Sequence, residues 1–169
     1  MEKVNVYNRN REITDKIKER NSLEKGEYRI SVHIWIINSK SELLIQQRSE
    51  TSKKFPSMWA QTGGGVLAGE TSKEAAKREA KEELGINVED EELYYISSYV
   101  RTRDIVDVWL VKKDIDIDDL ELQKEEVAEA KFVSFEDFDN MIKDKKVVPT
   151  INPSYFLMKN YIDNYIDKN

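Results

Sequence analysis

The sequence contains no cysteine and only one histidine. The lack of cysteine excludes disulfides, thiolate zinc sites and a cysteine nucleophile, and it suits a reducing cytoplasm. Positive charge is also in deficit: the net charge is −6 at pH 7, which disfavours a broad electrostatic interface with DNA or RNA. The longest apolar run, within residues 30–37, is far shorter than the roughly 20 residues of a membrane span, and residues 1–20 lack the apolar core of a signal peptide. We therefore expect a cytoplasmic protein with neither a membrane nor a nucleic acid as partner.

The composition that remains is typical of one globular domain. The chain has 169 residues, of which 39% are hydrophobic and 36% are charged, enough for one core and too few for two domains. We expect a single domain over residues 1–169, with an N-terminal extension over 1–27 and a C-terminal helix over about 153–167.

Runs of β-branched and aromatic residues predict strands on both sides of one central helix. The predicted strands cover residues 28–37, 42–48, 93–100, 105–111 and 130–134, and residues 4–7 with Ile13 suggest a hairpin in the extension. The acidic segment 114–126 is expected to be a solvated loop. This order predicts an α/β (α+β) fold in which a mixed β-sheet is sandwiched between helices.

Capping residues predict the helices. Thr71 and Glu74 can form a capping box and Gly85 suits the position after the last turn, so the central helix is expected over 72–84. A second helix is expected over 135–143.

The last predicted helix begins at Asn152, a good N-cap, followed by Pro153 at the first helical position. Its expected inward-facing residues are Phe156, Leu157, Tyr161, Ile162, Tyr165 and Ile166. This aromatic run suits either the core or a homodimer contact.

Glutamates gather on one face of the central helix. At about 100° per residue, Glu79, Glu82 and Glu83 fall within an arc of about 100°, whereas Lys77 and Lys81 point to the other side. One interpretation is a solvated acidic face paired with the arginine on the same helix. The other is a site for a hard cation, because carboxylates without histidine or cysteine are ligands for Mg²⁺ or Mn²⁺.

Three glycines, Gly63, Gly64 and Gly65, precede this helix. They do not form a Walker A loop, because no Gly-Lys-Ser/Thr follows. The spacing to Ala68 imitates a dinucleotide fingerprint, but that signal alone is weak, and an acidic face disfavours a pyrophosphate unless metal ions intervene.

The stretch from residue 64 to residue 86 resembles the Nudix box. That signature is a Gly, five residues, Glu, seven residues, Arg-Glu, an aliphatic, any residue, Glu-Glu, any residue, Gly and an aliphatic. The matching residues are Gly64, Glu70, Arg78, Glu79, Glu82, Glu83, Gly85 and Ile86. The one departure is Ala80, smaller than the usual aliphatic, which affects packing rather than chemistry. The resemblance covers roughly residues 28–145 and implies the Nudix fold, in agreement with the element order above.

The resemblance implies a MutT-like Nudix pyrophosphohydrolase that cleaves a nucleoside diphosphate linked to another group, with Mg²⁺ or Mn²⁺ as cofactor. It makes Glu79, Glu82 and Glu83 metal ligands, joined by the carbonyl of Gly63 or Gly64. The proton of the attacking water would pass to Glu82 or Glu83.

The resemblance also implies supporting residues. Arg78 would orient the glutamates through charge-assisted hydrogen bonds, and Glu70 would be a supporting acid. A carboxylate from a later loop often completes such a site, and Glu126 is the best match. Glu125 is an alternative, and both residues can equally be ordinary loop acids.

Residues 43–64 also resemble isopentenyl diphosphate isomerases, which share the Nudix fold. Those enzymes need a cysteine where Gly63 stands, so isomerase-like Nudix hydrolases are the better resemblance. The leading hypothesis is hydrolysis of the diphosphate linkage of a nucleotide or another nucleoside-diphosphate-like small molecule. The alternatives are a non-catalytic nucleotide or ADP-ribose-binding module and, less favoured, the isomerase.

Four residues outside the box are candidates for contact with substrate. Arg48, Lys53 and Lys54 can meet substrate phosphates, with loop solvation as the alternative for the two lysines. Trp59 can stack on a base or belong to the core. His33, within a strand, is interpreted as structural.

Overall fold

The computed structural model describes residues 1–166, and its centre is a mixed sheet of seven strands beside a separate two-stranded hairpin. The strands are β1 (Lys3–Tyr7), β2 (Ile13–Glu19), β3 (Arg29–Ile37), β4 (Leu43–Arg48), β5 (Trp59–Ala60), β6 (Thr62–Gly65), β7 (Leu93–Val100), β8 (Asp104–Lys112) and β9 (Val127–Val133). The helices are α1 (Ser72–Leu84), α2 (Phe135–Lys143) and α3 (Asn152–Tyr161). The predicted fold class and the predicted hairpin are confirmed.

Strand β3 is the centre of the sheet. It pairs in parallel with β8, from Arg29 opposite Asp104 to Ile37 opposite Lys112. Its other edge is shared by β4 and β6, both antiparallel to it. Strand β4 continues beyond β3 to pair with β5 and β9. Because β3 is covered on both faces, it reads as a nearly continuous apolar run, as buried strands do.

The two faces of β3 build two cores. Val32 and Ile34 face α1, where Ala76 and Ala80 let the helix approach the sheet closely. On the opposite face Trp35 joins the aromatic side chains of α2 and α3. The small residue at position 80, the one departure from the box, is fully buried in the first core.

The caps of α1 form as predicted. The Thr71 hydroxyl accepts a hydrogen bond from the Glu74 amide at 3.2 Å, and the Glu74 carboxylate accepts one from the Thr71 amide at 2.8 Å. Gly85 ends the helix with a φ of 74°, a left-handed conformation that favours glycine.

The hairpin of the N-terminal extension is tied to the sheet by an ion pair whose carboxylate is buried. Arg11, in the turn between β1 and β2, donates hydrogen bonds to both carboxylate oxygens of Asp107 in β8. Asp107 is fully buried, and the Ser98 hydroxyl also donates to it at 2.7 Å. Tyr7 and Tyr28 add a backbone bridge between the hairpin and the sheet.

The C-terminal helical segment differs from its prediction at its start and at two of the six residues expected to face inward. A 3₁₀ turn over Pro149–Ile151 runs directly into it, so Asn152 already has helical angles and does not cap the helix. Phe156 and Tyr165 are 59% and 66% exposed, so the prediction that they face inward is wrong.

Leu157, Tyr161, Ile162 and Ile166, also predicted to face inward, do pack in the second core. Ser154, Tyr155 and Met158 are buried, because the Ser154 hydroxyl accepts a hydrogen bond from the Trp35 indole at 2.7 Å and the Tyr155 hydroxyl donates to Asp139 at 2.7 Å. After α3 a π-helical turn covers Ile162–Ile166, and the predicted end at 167 lies outside the described residues. No helix within residues 1–166 is long and apolar enough to cross a membrane.

Candidate active site

The glycines of β6 allow the backbone to approach both its partner strand and a carboxylate of α1. A side chain on Gly63 would overlap the backbone carbonyl of Val32 in β3, and one on Gly64 would overlap the carboxylate of Glu79. Glycine is therefore required at positions 63 and 64 because a side chain there would overlap neighbouring atoms. It leaves room for an acidic side chain directly against the strand.

Arg78 connects three of the glutamates of the box. Its guanidinium donates to both oxygens of Glu70 at 2.8 and 2.9 Å, to Glu79 at 2.8 Å and to Glu82 at 3.1 Å. It also donates to the carbonyl of Gly65 at 3.0 Å. The hydrogen bond to Glu70 and the contacts with Glu79 raise the pKa of Arg78. The contacts expected of Arg78 and Glu70 are thus present, and their catalytic roles stay predictions.

Glu83 is almost completely buried at the end of the glycine strand. One of its oxygens accepts hydrogen bonds from the Gln46 amide at 2.9 Å and from the Gly63 backbone at 3.3 Å. Burial, together with smaller effects of the charges of Glu79 and Glu126, raises the pKa of Glu83 to about 8. Burial likewise raises the pKa of Glu79, against the opposing hydrogen bond from Arg78.

The loop before β9 approaches the same carboxylates. The Gln123 amide donates to the backbone carbonyl of Glu83 at 3.0 Å, and the carbonyl of Glu126 accepts from the Ser49 amide at 2.8 Å. Glu126 is exposed, and its charge acts on both Glu79 and Glu83. Glu125, the alternative, is not among the main causes of either pKa shift, and a role for either residue as a metal ligand stays a prediction.

The donor chemistry of this site fits a hard divalent cation. The glutamates and the glycine carbonyls offer oxygen atoms as metal ligands, which Mg²⁺ and Mn²⁺ prefer. The negative charges of the buried Glu79 and Glu83 also repel each other, and a cation would relieve this repulsion. Within residues 1–166 no three acidic or imidazole side chains already form a cage for an ion. Arg78 holds one oxygen each of Glu79 and Glu82.

A sequence comparison decides the family of this chain. The NUDIX domain profile matches residues 27–152, which is most of its length. The chain belongs to the Nudix family. An uncharacterised Nudix hydrolase of Listeria monocytogenes is 38% identical to it over 151 residues, which cover 88% of this chain and 89% of the relative. The prediction of an enzyme of the Nudix hydrolase family is therefore confirmed.

Solved structures support the same Nudix fold. DR0079 from Deinococcus radiodurans matches 87% of this chain and 92% of its own, with a TM-score of 0.73 at 22% identity. A MutT protein from Methanosarcina mazei matches 85% of this chain and 99% of its own, with a TM-score of 0.62 at 29% identity.

A cavity of about 620 Å³ adjoins the Nudix glutamates. Glu83, Gly63 and Gly64 form part of its wall, and the candidate substrate residues Arg48 and Lys54 line it too. Lys53 lines a neighbouring cavity of about 520 Å³.

The structure places Trp59 in the core and His33 at the cavity. Trp59 is 8% exposed, belongs to the second core and lies under the Lys131 ammonium at 4.3 Å from the ring centroid. It does not line the cavity, so its alternative placement in the core is the observed one. His33, interpreted from sequence as structural, is part of the cavity wall. Burial, with a smaller effect of Arg101, lowers its pKa to about 3, so the imidazole is neutral.

Sequence reasoning missed most of the cavity lining, although two signals were present. Arg29 and Ser31 alternate with apolar residues ahead of His33, a period of two that marks one face of a strand. Arg101 and Arg103 flank a turn of an otherwise acidic chain. Neither pattern belongs to the box.

Proposed function

We propose that this chain is a pyrophosphohydrolase that uses Mg²⁺, with Mn²⁺ as a substitute, to cleave the diphosphate linkage of a small nucleotide-like substrate. The observation that carries this proposal is the pair of buried carboxylates, Glu79 beside Gly64 and Glu83 at the wall of a cavity. Two buried acids that repel each other favour a bound cation, and a diphosphate supplies the remaining oxygen ligands.

The residues of the box divide the work of such a site. Glu79, Glu82 and Glu83 would hold the ion, with Glu126 and the carbonyl of Gly63 or Gly64 as further ligands. A bound divalent ion neutralises diphosphate charge and lowers the pKa of a coordinated water.

The protein's own groups would then position the substrate and accept a proton. Of the two candidate bases, Glu83 lines the cavity whereas Glu82 does not, so we assign proton acceptance to Glu83. Arg78 would hold the carboxylates of Glu79 and Glu82 in position by hydrogen bonds, and Glu70 would orient Arg78 by accepting hydrogen bonds from it.

The test is a substrate screen of wild type and Glu83→Gln with Mg²⁺ and Mn²⁺. The screen includes nucleoside di- and triphosphates, nucleotide sugars, ADP-ribose, dinucleoside polyphosphates and coenzyme A derivatives. We expect phosphate or nucleotide release by wild type, abolished by EDTA, and a loss of at least about 100-fold in Glu83→Gln. Glu136→Gln, an exposed position on α2, is the matched control and keeps full activity.

Two results would contradict this proposal. One is full activity of Glu83→Gln. The other is no turnover by wild type on any compound with either metal; ligand binding without turnover would then indicate the non-catalytic binding module instead.

A further inference from the structure

The wall of the cavity carries buried polar atoms that have no partner in the protein. Ser31, His33 and Gln61 are each more than nine-tenths buried, and all three line the cavity. Within residues 1–166 the Ser31 hydroxyl, the His33 Nδ1, the Gln61 carbonyl oxygen and one terminal nitrogen of Arg29 make no hydrogen bond. Unpartnered buried polar atoms are rare in folded proteins, and four beside one cavity indicate groups kept available for a ligand.

The arrangement of these atoms follows from the strand period. Arg29, Ser31 and His33 alternate along β3 and so share one of its faces, and Gln61 comes from the link between β5 and β6. Further along the same face, Trp35 is covered by the aromatic side chains of the second core. The face therefore changes from apolar to polar where the cavity begins.

The same cavity concentrates positive charge in an acidic protein. Its basic lining residues are Arg20, Arg29, Arg48, Lys54, Arg101 and Arg103, and its acidic ones are Glu83 and Asp104. Asp104 is shared by two of the arginines, at 2.7 Å from Arg29 and 2.6 Å from Arg101.

Several of these charges are left without a carboxylate. Within the described part of the chain, no ion pair joins Arg48, Lys54 or Arg103 to an acidic residue. The basic residues come from the hairpin extension, from β3 and β4, and from the turn between β7 and β8. Convergence of separate elements on one cavity is the arrangement expected for recognition of an anion.

The lining offers little to a nucleobase. Apart from His33, Phe55 is its only aromatic residue, and Trp59 lies outside it. Hydroxyl and amide groups next to arginines match a phosphorylated sugar, whose hydroxyls both donate and accept hydrogen bonds.

We propose that the substrate carries at least one phosphate group beyond the scissile diphosphate, on a hydroxyl-bearing group that this cavity holds. Ser31, His33 and Gln61 contact the hydroxyl-bearing part, and the arginines around Asp104, with Arg48, bind the additional phosphate. This inference rests on the proposed function, because it takes the cavity beside Glu83 as the place of the substrate.

The test compares compounds that differ by one phosphomonoester. Suitable pairs are coenzyme A with dephospho-coenzyme A, and NADPH with NADH. Calorimetric binding with Mg²⁺ to Glu83→Gln, which does not turn over, gives the affinity ratio within each pair. We expect the additional phosphate to tighten binding about tenfold or more in at least one pair, as a charge-assisted hydrogen bond does.

Variants assign that preference to the cavity. Arg101→Gln and Arg48→Gln in the same background should bring the ratio towards one, with little change for the member that lacks the phosphate. A merely structural role would weaken both members equally. Arg9→Gln, at an exposed arginine of the hairpin turn, is the control and keeps the ratio.

Absence of a preference in both pairs, including failure of all four compounds to bind, would overturn this inference. The proposed function fails by a different measurement, the absence of metal-dependent turnover by wild type. The two failures are therefore distinguishable.

Discussion

At the scale of single residues, the site depends on a guanidinium that no other side chain can replace. Arg78 contacts Glu70, Glu79, Glu82 and the carbonyl of Gly65 at the same time. A planar fork with five N–H donors can do this, whereas an ammonium is a point charge with three donors. The charge at this position is thus less important than its geometry.

Arg78→Lys is therefore expected to reduce activity although it conserves the charge. Because Glu79 and Glu82 lose their common donor, we expect kcat/KM and the affinity for Mg²⁺ to fall about 10- to 100-fold, as for other residues that orient metal ligands. Steady-state kinetics across a Mg²⁺ titration measure both quantities. The control is Arg9→Lys, and equal activity of Arg78→Lys and wild type would show that geometry is unimportant here.

A second residue-scale prediction concerns pH and the buried imidazole of His33. Burial lowers the pKa of His33 to about 3, so its imidazole stays neutral in the folded protein above that pH. In the unfolded chain the same imidazole binds a proton below about pH 6.5. The unfolded state binds more protons, so stability falls as the pH drops below about 6.5, by up to about 1.4 kcal/mol per pH unit from this group.

The measurement is the free energy of unfolding in urea at several pH values between 7 and 5. We compare wild type with His33→Gln, because the carboxylates titrate in both proteins and their contribution cancels in the difference. Wild type should lose about 2 kcal/mol more than the variant over this range. Parallel curves would contradict the assignment.

At the scale of elements, three adjacent glycines of one strand have three different surroundings. A side chain on Gly63 meets the backbone of β3, one on Gly64 meets the Glu79 carboxylate, and one on Gly65 meets a terminal nitrogen of Arg29 at 3.0 Å. A backbone cannot move aside as the end of a flexible side chain can. The same substitution should therefore have different consequences along the strand.

We expect Gly63→Ala to destabilise the fold and Gly64→Ala to retain the fold but lose activity. Gly65→Ala should change stability and activity only slightly. In Gly64→Ala the displaced Glu79 should cost at least about tenfold in kcat/KM, by analogy with other disturbed metal ligands. Thermal unfolding and kinetics on the same preparations separate the two effects. Equal loss of activity in Gly64→Ala and Gly65→Ala would contradict this account.

Local signals explain which elements were predictable. Helix α1 begins and ends where Thr71 and Gly85 indicate, because caps act within one turn. The burial of Ser154 in α3 was not predictable, because Ser154 accepts a hydrogen bond from Trp35, which is 119 residues away in the chain. The site divides in the same way: the box predicts its glutamates, whereas the cavity is assembled by distant turns.

At the scale of the whole molecule, the N-terminal extension is part of the site. The hairpin brings Arg20 to the cavity, and the ion pair of Arg11 with the fully buried Asp107 is one of its connections to the sheet. The chain is similar to its Listeria relative over 88% of its length, and the family profile begins only at residue 27. The extension can therefore adapt the substrate cavity without a change to the box.

Arg11→Met is expected to weaken both the fold and substrate binding. It leaves the carboxylate of Asp107 buried without its cation, and it releases the hairpin that carries Arg20. We expect a loss of about 1–3 kcal/mol of stability, less than for a fully buried pair because 39% of the Arg11 side chain is exposed. Unfolding in urea measures the first effect, and the affinity of Glu83→Gln/Arg11→Met for coenzyme A measures the second.

The double variant Arg11→Met/Asp107→Leu separates the cost of an unpaired buried carboxylate from the effect of the ion pair on the position of the hairpin. It removes the unpaired charge, so it should recover most of the stability, because a buried ion pair replaced by apolar residues is often neutral. If apolar packing alone docks the hairpin, the affinity for coenzyme A recovers as well. If the ion pair fixes the position of the hairpin, the affinity stays low in a stable protein. We expect this second result, because Ile13 and Ile17 of β2 are 62% and 58% exposed, and the buried Val4 and Val6 of β1 form a small cluster with Leu23 that is separate from the two cores of the sheet.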